Sequence, residues 1–525
     1  MLAFSLPQVD PLGQSTVETR PKAVAAWLGR LPYASPADAA QQLLAALYAL
    51  NRHPLGADDR HALLSLYRPV IVRVAASLET LLAESGVPPY AQQRQVGALL
   101  RDLQRERSLG YKHLLMALTD QRFGRANPRR LAEFAAQVAA ALRDLQTACF
   151  MTYTPPPAGL WQDLHQLHAY AQVANVAELP TDGVPTTSLS YRQALLIALA
   201  DPPHLSPVEL AHTRLYLDRF AALAELTYEP VADHLGFPVS TDGDVPPTQA
   251  AAGGKPGGLW LDTDTLCRHV HETAVRLRKG ETPEQIDLPP GMDRALSLTL
   301  CKRLLKEWGT TAQRTYKRYP TASDSTVQVV AGVSAIHRLL EQVPYTEPDE
   351  SEPDESLPIH DVQGLFASPV AVNATVWSVT NDSAAGVALA GAPDAPLNLK
   401  VGDPLALHAG TASGWSLGAI RWIRMRDARQ VELGVERLSP QIQPVWVRPL
   451  RGHRKANPEP ALFLPGLAAL KQSDRLLLPR HLYETGMDAE VLHAPHQYTL
   501  SFGRLLEHTP GFDLVDFTLI ADEAL

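Results

Sequence analysis

The sequence predicts a multidomain α + β chain, an N-terminal all-α helical region followed by a C-terminal antiparallel β-barrel region. Helix-start signals and apolar stripes of helical period run from about residue 15 to residue 310. After about residue 325 come short runs rich in Val, Trp, Thr and Ile, separated by Gly, Asn and Asp. The chain has 525 residues, 45% of them hydrophobic, which is too much for one core and implies two to four domains.

The helical elements follow in order. Ser35, Pro36 and Asp38 open a helix with an N-cap hydroxyl, a first-turn proline and a carboxylate at the positive end. Behind them Leu43, Leu44, Leu47 and Leu50 share one face. Further stripes cover 61–84, 93–118, 131–145 and 265–277, the last stopped by Lys279 and Gly280. Ser206 to Glu209 spells a capping box, and Thr282 to Gln285 repeats the pattern. No fixed repeat period is found, and a stack of helix pairs is expected. The stretch 240–258 is rich in Gly, Pro and small polar residues and reads as a linker or loop.

The β region begins at 326–333 and continues through 370–379, 387–389, 404–408, 416–424 and 430–435. Runs at 462–464, 475–478, 489–492, 498–502 and 512–519 carry it to the end. The tandem EPDESEPDES at 347–356 is acidic and proline-containing, so a solvated loop is expected. The expected domains are a helical domain over 1–239, the linker at 240–258 and a helical segment over 259–313. A β-barrel domain follows over 314–450, with an acidic insertion near 344–358. Residues 451–525 form a β extension or a second small β module.

Composition narrows the function classes. A net charge of −9 argues against a nucleic-acid coat. The three cysteines, Cys149, Cys267 and Cys301, imply no disulfide framework and read as reduced thiols. The N-terminus has no basic n-region and no long apolar core, and no stretch is long enough to span a membrane, so a soluble cytoplasmic protein is expected.

Nothing in the sequence argues for an enzyme. Cys267, His269, His271 and Glu272 are metal-capable, but on a helix only Cys267 and His271 share a face, and no second pair stands at ligand spacing. The glycine pairs at 253–254 and 257–258 match neither the phosphate-binding loop nor the dinucleotide fingerprint. No nucleophile elbow occurs. No catalytic residue, metal ligand or cofactor is therefore assigned.

Two short motifs carry the functional signal. Arg314 and Arg318 bracket Thr315, Tyr316 and Lys317 just before the first strand of the β region. Asn381, Ser383 and Gly386 form an Asn-x-Ser-x-x-Gly pattern directly after a strand. The arginine spacing alone is common, recurring at Arg101/Arg105 and Arg125/Arg129, whereas the Asn-x-Ser-x-x-Gly pattern occurs once. Order and context raise the joint signal.

This arrangement resembles the PilZ family of cyclic di-GMP receptor domains, which carry Arg-x-x-x-Arg in a loop before a small β-barrel and Asp/Asn-x-Ser-x-x-Gly on the barrel. The runs 417–423 and 431–436 also look like the family's paired C-terminal strands. The resemblance covers about 314–440. The 63 positions from Arg318 to Asn381 exceed the usual family spacing, so the acidic run and the helix-like 334–342 read as an insertion. The resemblance implies a cyclic di-GMP site at Arg314, Arg318, Asn381, Ser383 and Gly386, in a bacterial process such as motility, adhesion or exopolysaccharide production.

Chemistry independently suits such a ligand. Guanine O6 and N7 are adjacent acceptors that a guanidinium fork can match, and the same cation stacks on purines or pairs with phosphodiester oxygens. Asn381 suits a base edge, Ser383 a base or the turn itself, and Gly386 a positive φ or a close ligand approach. Tyr316 and Lys317 are weaker candidates for stacking and charge. A second candidate surface is the basic run of Arg421, Arg424, Arg426, Arg429, Arg437, Arg448, Arg451, Arg454 and Lys455. Strand alternation splits it between two faces, and nucleic acid is not the expected partner.

The resulting expectation is a non-enzymatic cyclic di-GMP receptor. Its ligand would order the arginine segment onto the β domain and re-orient the helical region toward a protein partner not identifiable from sequence. The alternative is a helical scaffold or chaperone-like interaction protein with a degenerate, non-binding barrel.

Overall fold

The computed structural model describes residues 2–10, 17–83, 90–119, 127–247, 258–309, 319–320, 325–341, 374–383, 385–391, 399–409, 414–427, 430–451, 454–455, 457–466, 472–493 and 496–524. They fall into two compact units, Met1–Thr315 and Tyr316–Leu525.

The first unit is a helical stack with helices α1 (Pro21–Leu28), α2 (Pro36–Arg52), α3 (Ala57–Ala83), α4 (Tyr90–Thr119), α5 (Pro128–Met151), α6 (Leu160–Val173), α7 (Thr187–Leu199) and α8 (Pro207–Phe220). Strands β1 (Glu225–Thr227), β2 (Gly236–Val239) and β3 (Leu259–Asp262) follow, then α9 (Asp264–Arg278) and α10 (Arg294–Gly309). On α2 the row Leu43, Leu47 and Leu50 is buried and Leu44 lies half-buried at its edge. The Ser35 hydroxyl does not cap the helix as expected: it donates to Asp38 at 2.7 Å. The capping box of α8 forms, with Glu209 accepting from the Ser206 N–H at 2.9 Å. Its counterpart at Thr282 yields only a single 3-10 turn, Glu284–Ile286, because Asp287 turns to positive φ and Pro289 and Pro290 cannot continue a helix.

Charge is buried at the centre of this unit. Asp144 on α5 pairs with Arg107 of α4 at 2.8 Å and with Arg143 at 2.7 Å, and Arg214 of α8 pairs with Glu79 of α3 at 3.1 Å. Burial alone would raise the Asp144 carboxyl, but Arg143, Arg107 and Arg214 outweigh it and hold the group down at about 2.

Strands β2 and β3, on either side of the loop-or-linker stretch 240–258, are antiparallel neighbours in one sheet. The described part of that stretch is anchored. Asp244 accepts from the backbone N–H groups of Gly159 (2.6 Å) and Trp161 (2.8 Å), satisfying the free donors at the start of α6. Residues 248–257 lie outside the described residues. The three short strands interrupt a region that the sequence reads as all helix.

The second unit is β. Its first sheet contains β4 (Tyr319–Pro320), β5 (Thr326–Ala331), β6 (Thr375–Asp382), β7 (Gly386–Gly391), β8 (Pro404–Ala409), β9 (Ser416–Asp427) and β10 (Gln430–Ser439), with helix α11 (Val333–Leu340) after β5. The order is β4-β6-β5-β8-β9-β10-β7, and pairing of β6 with β7 closes the ring. Its second sheet contains β11 (Gln443–Arg451), β12 (Arg454–Lys455), β13 (Glu459–Leu464), β14 (Arg475–Leu478), β15 (Asp488–His493), β16 (His496–His508) and β17 (Asp513–Ala524). It closes the same way, through β11 and β15. Each is an antiparallel barrel with one two-residue strand added. Strand β11, most of which the sequence assigns to the first β domain, pairs in the second sheet, with β12, β13 and β15.

The helix-like stretch expected at 334–342 is packed into the β unit. It is α11, and Val333 and Ile336 share one core with Val330, Ala406 and Leu417 of the first barrel and Leu462, Leu477 and Phe512 of the second. Trp446 of β11 donates to Glu341 at 3.1 Å beside it. The acidic run at 347–356 lies outside the described residues. None of the described helices is long and apolar enough to cross a membrane.

Candidate ligand-binding site

The hairpin of β6 and β7 carries Asn381, Ser383 and Gly386 at its turn. A β-bulge falls between Val379 and Asn381, where Thr380 is left without a partner in the ladder. A bulge re-aims the side chains beyond it. Asn381 therefore does not continue the row begun by the buried Trp377, and it is half-exposed.

Ser383 shapes the turn. Its hydroxyl lies 2.9 Å from the Gly386 carbonyl and 3.2 Å from the Gly386 N–H, and its own N–H donates to the Gly386 carbonyl at 2.9 Å. Gly386 does not have the positive φ expected for it, and the atom nearest a Cβ there belongs to the protein backbone. A Cβ here would collide with the Val435 carbonyl oxygen on β10, so glycine is what lets β7 pair with β10 at Glu436.

The β4 backbone reaches this turn from the other side. Tyr319 is paired with Asp382 and Pro320 with Asn381. Strand β5 pairs with the earlier part of β6, from Ser378 to Thr375, so β4 and β5 flank β6 in succession on one side. Arg314, Tyr316, Lys317 and Arg318 lie outside the described residues, and the described chain resumes at Tyr319, one residue after Arg318.

Two charged side chains that the motif reading left out also meet at the turn. Arg437 of β10 pairs with Asp382 at 2.6 Å, and its backbone N–H donates to the Ala385 carbonyl at 3.0 Å. Asp382 lies inside the motif and Arg437 in the basic run, so both were visible in the sequence. Their meeting depends on the β7–β10 pairing, which is non-local.

Several of the remaining candidates are engaged elsewhere. In the basic run, Arg421 bridges Glu436 and Glu507, Arg426 pairs with Glu432 at 3.2 Å, and Arg448 pairs with Glu490 at 3.2 Å. The side chains of Arg429, Arg451, Arg454 and Lys455 lie outside the described residues. On α9, Cys267 is buried and His271 exposed, while His269 meets the Tyr216 hydroxyl at 2.7 Å. Among the described residues no group of three or more His, Cys, Asp or Glu could hold a metal ion.

Comparison with known proteins divides the chain into three parts, the second of which begins within the first compact unit. Residues 22–232 match the N-terminal domain family of the cyclic-di-GMP receptor FimW. Residues 237–358 and 368–444 match its middle PilZ domain, and 445–520 its C-terminal β-barrel domain. The chain is also 25% identical to the protein named cyclic-di-GMP receptor FimW from Pseudomonas aeruginosa, over 93% of this chain and 89% of that protein.

Proposed function

Since the chain belongs to the PilZ-domain family, its PilZ domain set between a helical domain and a second β-barrel, we propose that it is a non-enzymatic receptor for cyclic di-GMP. Arg314 and Arg318 hold the ligand from one side and Asn381 from the other. The observation that carries this reading is the pairing of β4 with the end of β6. Sequence alone separates the arginines from Asn381 by an unusual length. The strand pairing supports a shared site despite that length. The described chain resumes at Tyr319, one residue after Arg318, and Tyr319 is the cross-strand partner of Asp382, next to Asn381.

The division of labour follows from the chemistry. The two guanidinium groups match guanine O6 and N7 or the phosphodiester oxygens of a dianionic ligand. Asn381, turned out by the bulge, supplies an amide for a base edge. Ser383 and Gly386 act through the backbone, fixing the turn that presents Asn381. Tyr316 and Lys317 add stacking surface and charge between the arginines.

No cofactor is needed, because binding and not bond-making is the activity. The arginine pair stands where the first compact unit gives way to the second in the chain. Ligand binding there sets how the helical unit is presented to a protein partner. A cytoplasmic location fits three free, buried cysteines whose thiols burial pushes up, to about 11 or 12.

Calorimetric titration of cyclic di-GMP into the full chain and into Arg314→Ala/Arg318→Ala tests the reading. Saturable binding that vanishes in the double variant supports it. An absence of heat with the wild type at tens of micromolar ligand, together with an unshifted melting temperature, rejects it.

A further inference from the structure

Resting on the binding site proposed above, we infer that Arg437 is a third arginine of that site and that Asp382 occupies it until the ligand takes its place. Three observations lead here. Arg437 lies on the strand that closes the barrel against the motif hairpin, tied to it by its own N–H on Ala385. Its guanidinium folds over the turn to Asp382, the residue between Asn381 and Ser383. Asp382 is in turn the cross-strand partner of Tyr319, where the chain leaves the arginine segment.

The charge arrangement explains why Asp382 is the carboxylate that Arg437 meets. Its chain neighbour Glu436 is drawn to Arg421 at 2.5 Å, on the neighbouring strand β9. The Arg437–Asp382 pair is exposed, at 40% and 50% for the two side chains. An exposed ion pair is weak, and a phosphodiester oxygen is as good a partner for a guanidinium as a carboxylate. An anionic ligand arriving beside Asn381 can therefore exchange for Asp382. The exchange costs some affinity, and it keeps a bare arginine from capturing other anions when the ligand is absent.

The test titrates cyclic di-GMP into the wild type, Asp382→Asn, Arg437→Ala and Asp382→Asn/Arg437→Ala, at about 0.3 M salt to screen diffuse repulsion. Arg437→Ala is expected to weaken binding about tenfold, the loss of one charge-assisted contact. Asp382→Asn is expected to tighten it about two- to fivefold, and that gain is expected to shrink below about twofold when Arg437 is already alanine. Arg437→Lys keeps the charge without the fork and is expected to fall between wild type and alanine. Both side chains are exposed, so the melting temperatures of the set should coincide.

Unchanged affinity in Arg437→Ala overturns the inference. So does an equal gain from Asp382→Asn with and without Arg437, which would mean that Asp382 acts on the ligand directly. Failure of all the chains alike to bind overturns the receptor reading and this inference with it, and is distinguishable from the other two results.

Discussion

The two barrels of the β unit share one architecture and differ in what their turns hold. Each closes six antiparallel strands and adds a two-residue strand, β4 on β6 in the first and β12 on β11 in the second. In the first barrel that short strand follows the arginine segment in sequence and pairs with the end of β6 that carries Asn381. In the second, β12 is the return of a tight hairpin from β11, with Arg451 paired to Arg454 and Leu450 to Lys455. The interior of the second barrel is apolar, with Val447, Leu476, Leu500, Phe502 and Val515 at its centre. A closed barrel is thus a scaffold, and the proposed site uses the bulge, the turn and the short strand added to one of the two.

Substitutions can break this contrast, and the largest effect is expected at the arginines. Arg314→Ala/Arg318→Ala should weaken cyclic di-GMP binding more than about a hundredfold, the loss of two charge-assisted contacts. Glu459→Ala, on the second barrel, should leave the affinity unchanged. Titration of both variants compares them directly, and a similar loss from each would erase the distinction.

The second effect concerns the join between the barrels. Asp403 precedes β8, and beside it the Gly402 carbonyl accepts from Thr509 of the second barrel at 2.8 Å. Burial raises the Asp403 carboxyl to about 7, against which the Lys400 N–H and ammonium compensate only in part. A carboxyl raised on folding adds stability that is complete below its unfolded value near 4 and is lost as pH rises through about 7. The β unit should therefore lose of order 3 kcal/mol from this group between pH 4 and pH 8. Asp403→Asn should flatten that slope in denaturant titrations taken across the range. Asp144 in the helical unit has the opposite sign: its stabilisation is present above about 4 and disappears as pH falls toward about 2.

Glycine substitutions give a smaller contrast. Gly386→Ala should destabilise the β unit by about 2 kcal/mol, because the new methyl meets a backbone carbonyl on β10 that cannot move without breaking the ladder. Gly503→Ala in the second barrel meets chiefly the Asp516 carboxylate, which must give up its hydrogen bond from the Arg504 N–H to move, and should cost about 1 kcal/mol. Thermal melting separates the two. The smallest effect is Ser383→Ala, which removes the hydroxyl bracing the turn. It should cost about 1 kcal/mol of stability, with affinity falling less than about threefold. A hundredfold loss there would place Ser383 in contact with the ligand instead.

Much of this was legible in the sequence, because the signals are local. The capping box at Ser206, the row on α2 and the paired strands β9 and β10 all follow from residues a few positions apart. Long-range pairing hid the rest. Strands β1, β2 and β3 are three or four residues each, too short for a period to register, and β2 and β3 are joined by a loop that reads as a linker. Helix α11 is legible as a helix, but nothing local reveals that two barrels bury it. At the site, the residue types were visible but two of their roles were not. Gly386 is set by a carbonyl of β10, and Arg437 reaches Asp382 only because β7 pairs with β10.

The most direct test of the central claim is hydrogen exchange of the full chain with and without saturating cyclic di-GMP. If the arginine segment and the motif hairpin form one site joined through β4, the ligand should slow exchange together in peptides covering 314–320 and 381–386. The interior strands of the second barrel should remain unchanged. Protection confined to the helical unit or to the second barrel, with 314–320 and 381–386 exchanging as before, would contradict it.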